Sequence, residues 1–372
     1  MLSNSKTQVA VLLADPQSQR LARLFALPDF ANDFSITFIN LNDVRSKTLM
    51  RLYRRGRNYL GIDRKTGSSI EDRLRTLLDR QLRGVDVILG LDNQLSTLDS
   101  LVRLSAGNLR AVAIQMGTNP KYYQRTTEHV RHSPVTFLSW GRRELEQYAR
   151  EGLVPNRIIP TGSLMRALAD HYSVDRQSNR YLFDVCIVSQ FRPLPLLHEV
   201  VSESAHAEGQ SMPALLRVLS PILRRRELKT VVALRAEKFL SSAIKSDEER
   251  DCFQKYLECP FSFTNQADLF SSYAAVDSSR ITIGRNSGLL FESVGSNSRI
   301  LFVNPTEWSL FDPPATWPFG KTMPTAEQLE RDIERLLEMP RNEYYDQTQR
   351  VVDSFCTTKI DTLSLIKEVL VG

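Results

Sequence analysis

Arg192, Arg235 and Lys238 each stand just past a short apolar, β-branched run. Asn286, Ser287 and Gly288 stand between such a run and an apolar-periodic segment. Both settings suit a phosphate. A guanidinium is planar and matches phosphate oxygens with paired N–H groups. A helix start offers free backbone N–H groups and a partial positive charge. The order Ile281-Thr282-Ile283, Gly284-Arg285-Asn286-Ser287-Gly288, then Leu289, Leu290, Phe291 and Val294, then Arg299 to Val303 predicts strand, turn, helix, strand. Asn286 or Ser287 is the candidate N-cap. Glu292 falls about one turn into that helix, where its carboxylate would accept hydrogen bonds from ribose hydroxyls. The competing reading is an ordinary capped helix with a solvated Glu292, and an Arg235 paired with Glu237.

A second set lies in the first half. Asp15 and Asp92 end apolar runs and are candidates for a base or nucleophile acting on a hydroxyl, although aspartates there also cap the next helix. His129 and His132, in the stretch after Asn119, are further candidate bases. Asn93, Gln115, Asn119 and Ser163 are polar tips at strand ends, where a parallel sheet gathers them on one rim. No cluster of His, Cys and Asp has metal-ligand spacing, so neither metal nor resident cofactor is expected.

These residues need a scaffold of alternating strands and helices. Apolar runs at 8–14, 34–39, 85–90, 111–115, 135–139 and 157–160 predict strands, with helical periods between them. The pattern lapses over 169–180 and restarts with strands at 183–188, 229–234, 261–264, 281–283 and 299–303. A polar, aromatic loop follows Pro305, and helices are expected over 326–337, 342–355 and 363–371. The expected fold class is α/β: two Rossmann-like, doubly wound parallel-sheet domains facing across a cleft, with C-terminal helices. The expected boundaries are 1–168, a linker over 169–181, 182–345, and helices over 346–372 packing back.

The chain's 372 residues allow two cores. The net charge of +5 is mild, but Arg45, Lys47, Arg51, Arg54, Arg55 and Arg57 crowd one helical period, with Arg64 and Lys65 beyond. Like charges at that spacing repel, so residues 45–65 are expected to meet phosphates, as in an anionic membrane surface or a lipid-linked diphosphate. Nucleic acid is not expected, because stacking platforms and recognised motifs are missing. No apolar run approaches the ~20 residues of a membrane span. The four cysteines are scattered and Met1 to Lys6 lacks a secretory pattern, so a cytoplasmic location is expected, peripheral on the inner face of the plasma membrane.

Several phrases resemble the GT-B fold of nucleotide-sugar glycosyltransferases: Ser139-Trp140-Gly141, Ile159-Pro160-Thr161-Gly162-Ser163, Ser189-Gln190-Phe191-Arg192, Leu234-Arg235, and Arg285-Asn286-Ser287-Gly288 with Phe291-Glu292. With Ser272-Tyr273, they are similar to bacterial surface-polysaccharide proteins, among them capsule and lipopolysaccharide transferases and some Kdo transferases. The resemblance implies a nucleotide-sugar donor on the second half, near Ser189, Gln190, Arg192, Arg235, Glu237, Lys238 and Arg285. Asn286, Ser287 and Gly288 would hold its phosphate and Glu292 its ribose. It implies a glycan or lipid-linked acceptor on the first half, with CMP-Kdo or a UDP-sugar as donor. The alternatives are a sugar-nucleotide epimerase of the UDP-N-acetylglucosamine type and a non-catalytic binding homologue. The chain departs from the retaining pattern: Gly284 stands where an E-x7-E pair ending at Glu292 needs its first Glu.

Overall fold

The computed structural model describes residues 6–13, 19–40, 80–105, 108–117, 131–143, 153–172, 181–193, 203–235, 246–296, 298–358 and 360–372. Asp15, Asn119, His129, Glu237, Lys238 and the basic segment 45–65 lie outside them.

The first sheet is built from β1 (Thr7–Leu13), β2 (Phe34–Asn40), β3 (Val87–Leu91), β4 (Arg110–Ile114), β5 (Arg131–Ser139) and β6 (Leu153–Pro160). Its order is β2-β1-β3-β4-β5-β6, all parallel. Side chains alternate across it as a two-residue period requires. Val9, Val11, Val87, Leu89, Val112 and Ile114 enter one apolar core, and Ala10, Leu12, Ile88, Ala111 and Ala113 enter the other.

The second sheet comprises β7 (Phe183–Val188), β8 (Thr230–Ala233), β9 (Phe261–Phe263), β10 (Ser279–Gly284), β11 (Arg299–Asn304) and β12 (Gly320–Thr322). Its order, β12-β11-β10-β7-β8-β9, is again fully parallel. Each order reverses once, between β1 and β3 and between β7 and β10. In open parallel sheets, ligands bind at such reversals, beyond the carboxyl ends of the strands. The two-domain α/β architecture read from the sequence is therefore present.

The lobes exchange apolar side chains. Trp140, beyond β5, enters the core of the second lobe, while Leu269, Phe270 and Tyr273 of the second lobe enter the core of the first. Helix Arg341–Phe355 packs on the second lobe through Tyr344, Val352 and Phe355. The chain then crosses back, and helix Thr362–Val371 inserts Ile366 and Leu370 into the first core. The crossing needs two glycines. A Cβ at Gly141 would lie 2.5 Å from the Ser354 carbonyl oxygen, and one at Gly162 (φ +83) would lie 2.5 Å from that of Thr357. Ser-Trp-Gly and Thr-Gly-Ser thus seat the returning chain.

The structure corrects several sequence expectations. Helix Leu164–Tyr172 continues through the first residues of the stretch expected to be linker, with Ala169 buried. Helix Glu203–Arg225 runs on through Pro213 and Pro221, which lie inside it. Strand β5 starts at Arg131, ahead of Pro134, and its pairing with β6 shifts register between Ser133 and Thr136. A bulge of this kind is where a parallel or antiparallel ladder tolerates proline. Strand β12 lies within the stretch expected to be loop, because three residues are too few to show a period.

Candidate functional site

Three arginines stand at the carboxyl edge of the second sheet, over its reversal. Arg192 follows β7, Arg235 follows β8 and Arg285 follows β10, and β7 lies between the other two strands. Arg285 is 7% exposed, with its guanidinium carbon 3.6 Å from the ring centroid of Phe311. Its Nε and Nη1 have no hydrogen-bond partner among the described residues. Phe311 is placed by the loop after β11, which the buried Asn304 pins by donating to the Trp308 carbonyl (3.0 Å) and to Asp312 Oδ1 (2.8 Å).

The arginines repel one another. Burial, then the charge of Arg192, pulls Arg235 down to about 10, against the opposing pull of Glu249 and Glu208. Arg285 is also pulled down to about 10, first by burial, with Glu208 opposing and Arg235 and Arg192 adding to the fall. Both remain cationic at neutral pH. Arg192 pairs with Glu208 at 3.9 Å, both side chains exposed. A rim that concentrates cations and leaves buried guanidinium N–H groups without acceptors among the described residues is suited to a multivalent anion.

Below the arginines lies a buried polar network that sequence reading missed. Glu249, fully buried on helix Ser246–Tyr256, accepts from Ser189 Oγ (2.5 Å) and Gln266 Nε2 (3.3 Å). Gln266 Nε2 also donates to the Arg235 carbonyl (3.0 Å). Ser272 Oγ donates to the Leu234 carbonyl (2.6 Å), and the Leu234 N–H donates to Thr264 Oγ1 (2.9 Å). The network ties together the ends of β7, β8 and β9. In sequence Glu249 sits in the acidic run Asp247-Glu248-Glu249, which looks solvated. The fully buried Phe253 one turn later is the signal that this face turns inward.

The turn after β10 opens a short helix. Its helix spans only Gly288–Glu292, with Ser287 at the N-cap position and making no side-chain cap bond. Gln190 Nε2 donates to the Asn286 carbonyl (2.8 Å), which leaves Gln190 Oε1 and Asn286 Oδ1 buried without partners among the described residues. Gly288 faces the first lobe, where a Cβ would lie 3.5 Å from Trp140 Cη2. Glu292, 6% exposed, accepts from Ser163 Oγ of the first lobe (2.7 Å) and from Tyr273 OH (2.5 Å). Through these two hydrogen bonds its carboxylate joins the lobes and helps set their approach. Beside it, Arg166 forms a bidentate pair with Asp277 across the same joint (2.8 and 3.0 Å).

The first-lobe candidates divide. Asp92 is buried at the end of β3, on the reversal of the first sheet, and its Oδ1 accepts from the Asn93 N–H (3.0 Å). Gln115 is buried and committed to Trp140: Oε1 accepts from the Trp140 backbone N–H (2.7 Å), and its carbonyl accepts from Trp140 Nε1 (3.0 Å). Its second amide hydrogen bond goes to the Gly117 carbonyl (2.9 Å). Gln115 therefore positions the indole that meets the second lobe. His132 lies at the amino end of β5, on the edge opposite the rim. The ion pair of Arg131 with the buried Asp99 (2.5 Å) holds that strand end there, and Arg103 bonds the His132 carbonyl (2.6 Å).

No protein-family model and no curated protein matches the chain. Solved structures do. The UDP-N-acetylglucosamine 2-epimerase of Methanocaldococcus jannaschii, in complex with UDP-N-acetylglucosamine and UDP, is similar over 98% of this chain and 100% of that chain, with a TM-score of 0.53 and 8% identity. The UDP-forming α,α-trehalose-phosphate synthase of Burkholderia vietnamiensis is similar over 98% and 99% of the two chains, with a TM-score of 0.52 and 12% identity. The fold is GT-B. Identities this low establish the architecture, with two Rossmann-like lobes, and leave the chemistry to the residues. Among the described residues no helix is long and apolar enough to cross a membrane.

Proposed function

We propose that this chain is a GT-B enzyme that uses a nucleotide sugar, and that it is a glycosyltransferase building a surface glycan such as capsule or lipopolysaccharide. The observation that carries the reading is the arginine rim, with Arg285 buried and two of its N–H groups lacking acceptors among the described residues. A donor diphosphate supplies those acceptors. As the bond from the sugar to the diphosphate breaks, negative charge grows on the leaving oxygen, and Arg192, Arg235 and Arg285 stabilise it. Three cations favour a diphosphate donor such as a UDP-sugar over a CMP-linked one such as CMP-Kdo. Asp92, at the reversal of the facing sheet, is the proposed base that takes the proton of the acceptor hydroxyl. The reading calls for no resident cofactor. Its acceptor is a glycan or a lipid-linked sugar at the cytoplasmic face of the membrane, with residues 45–65 against the anionic headgroups.

The UDP-N-acetylglucosamine 2-epimerase reading is supported by the likeness to the epimerase solved with UDP-N-acetylglucosamine and UDP. Incubation with donor alone separates the two, because an epimerase forms its product without acceptor. The test of the main reading is a thermal-shift screen over UDP, GDP, CDP and CMP, since a ligand that binds only the folded protein raises its melting temperature. A diphosphate is expected to stabilise the protein more than its monophosphate does, with Asp92→Asn binding as the parent does while losing transfer. A screen in which no nucleotide stabilises the protein overturns the proposal.

A further inference from the structure

Glu249 is a carboxyl group buried to 0% exposure, beneath a rim that carries Arg192, Arg235 and Arg285 with Glu208 beside them. Burying a carboxylate is costly unless hydrogen bonds and opposite charge compensate for the lost water. Here the compensation is partial. Ser189 Oγ and Gln266 Nε2 donate to it, at 2.5 and 3.3 Å, and the positive charge of Arg235 favours its anion. Among the described residues, the charged and titratable groups around it are Arg250 and Cys252 on its own helix, Arg235 beyond β8, and, reached through Arg235, Arg192 beyond β7, Arg285 beyond β10 and Glu208 on the helix Glu203–Arg225. Ser189 and Gln266 complete the shell and do not titrate.

On the reading that the rim binds a nucleotide diphosphate, we propose that Glu249 is the positioning residue of that site and that ligand binding drives a proton onto its carboxylate. In the ligand-free protein Glu249 serves as the buried counter-charge to Arg235, and its hydrogen bonds hold the ends of β7 and β8 in register beneath the arginines. A bound diphosphate replaces it as counter-charge. The carboxylate then faces a nearby dianion from a position that already disfavours its charge, because burial holds its carboxyl above the usual carboxylate range. Taking a proton from solvent onto an Oε atom relieves the repulsion, and the neutral acid still accepts from Ser189 Oγ. Charge is balanced: one proton enters with the anion and no bond of the ligand changes. Binding that takes up protons must weaken as pH rises, by at most about tenfold per pH unit for a single proton.

The experiment is calorimetric titration with UDP-N-acetylglucosamine, UDP-glucose, GDP-mannose and dTDP-glucose, from about pH 5 to about pH 8, where their diphosphates do not titrate. Buffers of different ionisation enthalpy then yield the number of protons exchanged. For whichever of these binds, the parent should take up a measurable fraction of one proton and bind less tightly as pH rises. Glu249→Gln, neutral at every pH, should bind with no uptake and a flat pH profile. A merely structural role for Glu249 would leave the proton count unchanged. Binding by the parent without uptake, or uptake that persists in Glu249→Gln, overturns the proposal while the nucleotide-sugar reading stands. The parent's own pH profile decides the matter if that variant folds poorly. Binding of none of the four overturns both.

Discussion

Replacing Arg285 with Met separates a ligand-binding arginine from a structural one, because the two roles predict opposite signs for stability. The Met side chain keeps an unbranched apolar stem against Phe311 and removes the guanidinium. In the ligand-free protein a buried polar group without partners costs about 1–3 kcal/mol. Against its removal stands the loss of the cation–π contact at 3.6 Å, up to about 2 kcal/mol in a desolvated setting. The sulfur–aromatic contact returns about 0.3–1.5 kcal/mol of that. The balance is a ligand-free protein more stable by about 1 kcal/mol. Binding moves the other way. Hydrogen bonds to charged groups are worth about 1.5–3 kcal/mol each, so losing two costs about 3–6 kcal/mol, or about 140- to 20,000-fold in affinity. Urea denaturation of the free protein and calorimetric titration with UDP read the two quantities independently. An Arg285→Met protein that is less stable yet binds UDP as the parent does would refute the reasoning, by showing that the cation serves the fold.

Glu249→Gln has a second consequence, in stability. The folded carboxyl titrates above its unfolded value, so the folded state holds the extra proton, and stability falls as pH rises from the ordinary carboxylate range through the raised one. The variant should therefore exceed the parent at neutral pH and come level with it below about pH 4, as urea midpoints across pH would show. Gly162→Ala combines a left-handed backbone with a Cβ 2.5 Å from the Thr357 carbonyl oxygen, and should cost about 2 kcal/mol or more. Limited proteolysis should find its helix Thr362–Val371 cleaved faster. A double-mutant cycle over Arg166→Met and Asp277→Asn should give a coupling of about 1–3 kcal/mol for this largely buried pair, and a coupling near zero would remove it as a tie between the lobes.

The architecture was legible because parallel strands buried on both faces read as short, continuous apolar runs. Val87 to Leu91 and Phe183 to Val188 are of that kind. Strand ends were legible for the same reason, and with them the places of Asp92, Arg192, Arg235 and Arg285. What the side chains do there was less so. Glu292 and Gln115 look like rim polars, yet their partners Ser163, Tyr273 and Trp140 are brought to them by tertiary contact. No local pattern encodes a hydrogen bond between residues 129 apart. His132 was misplaced because Pro134 reads as the end of an element, whereas the bulge absorbs it. Glu249 was hidden by acidic neighbours that are solvated while it is not.

The returning C-terminal helix bears on how the chain acquires its structure during synthesis. Arg110, the first residue of β4, donates to the carbonyls of Leu370 (2.9 Å) and Val371 (3.2 Å), and so closes the end of a helix made long after that strand. Translation delivers the amino-terminal half first, but Ile366 and Leu370 belong to its core. On the ribosome this lobe must wait, with one apolar face uncovered, until residues 362–371 emerge and swing back beneath it. Chaperone capture should accordingly persist until residues 362–371 have emerged, and loss of that helix should harm the first lobe, whose strands lie far from it in sequence.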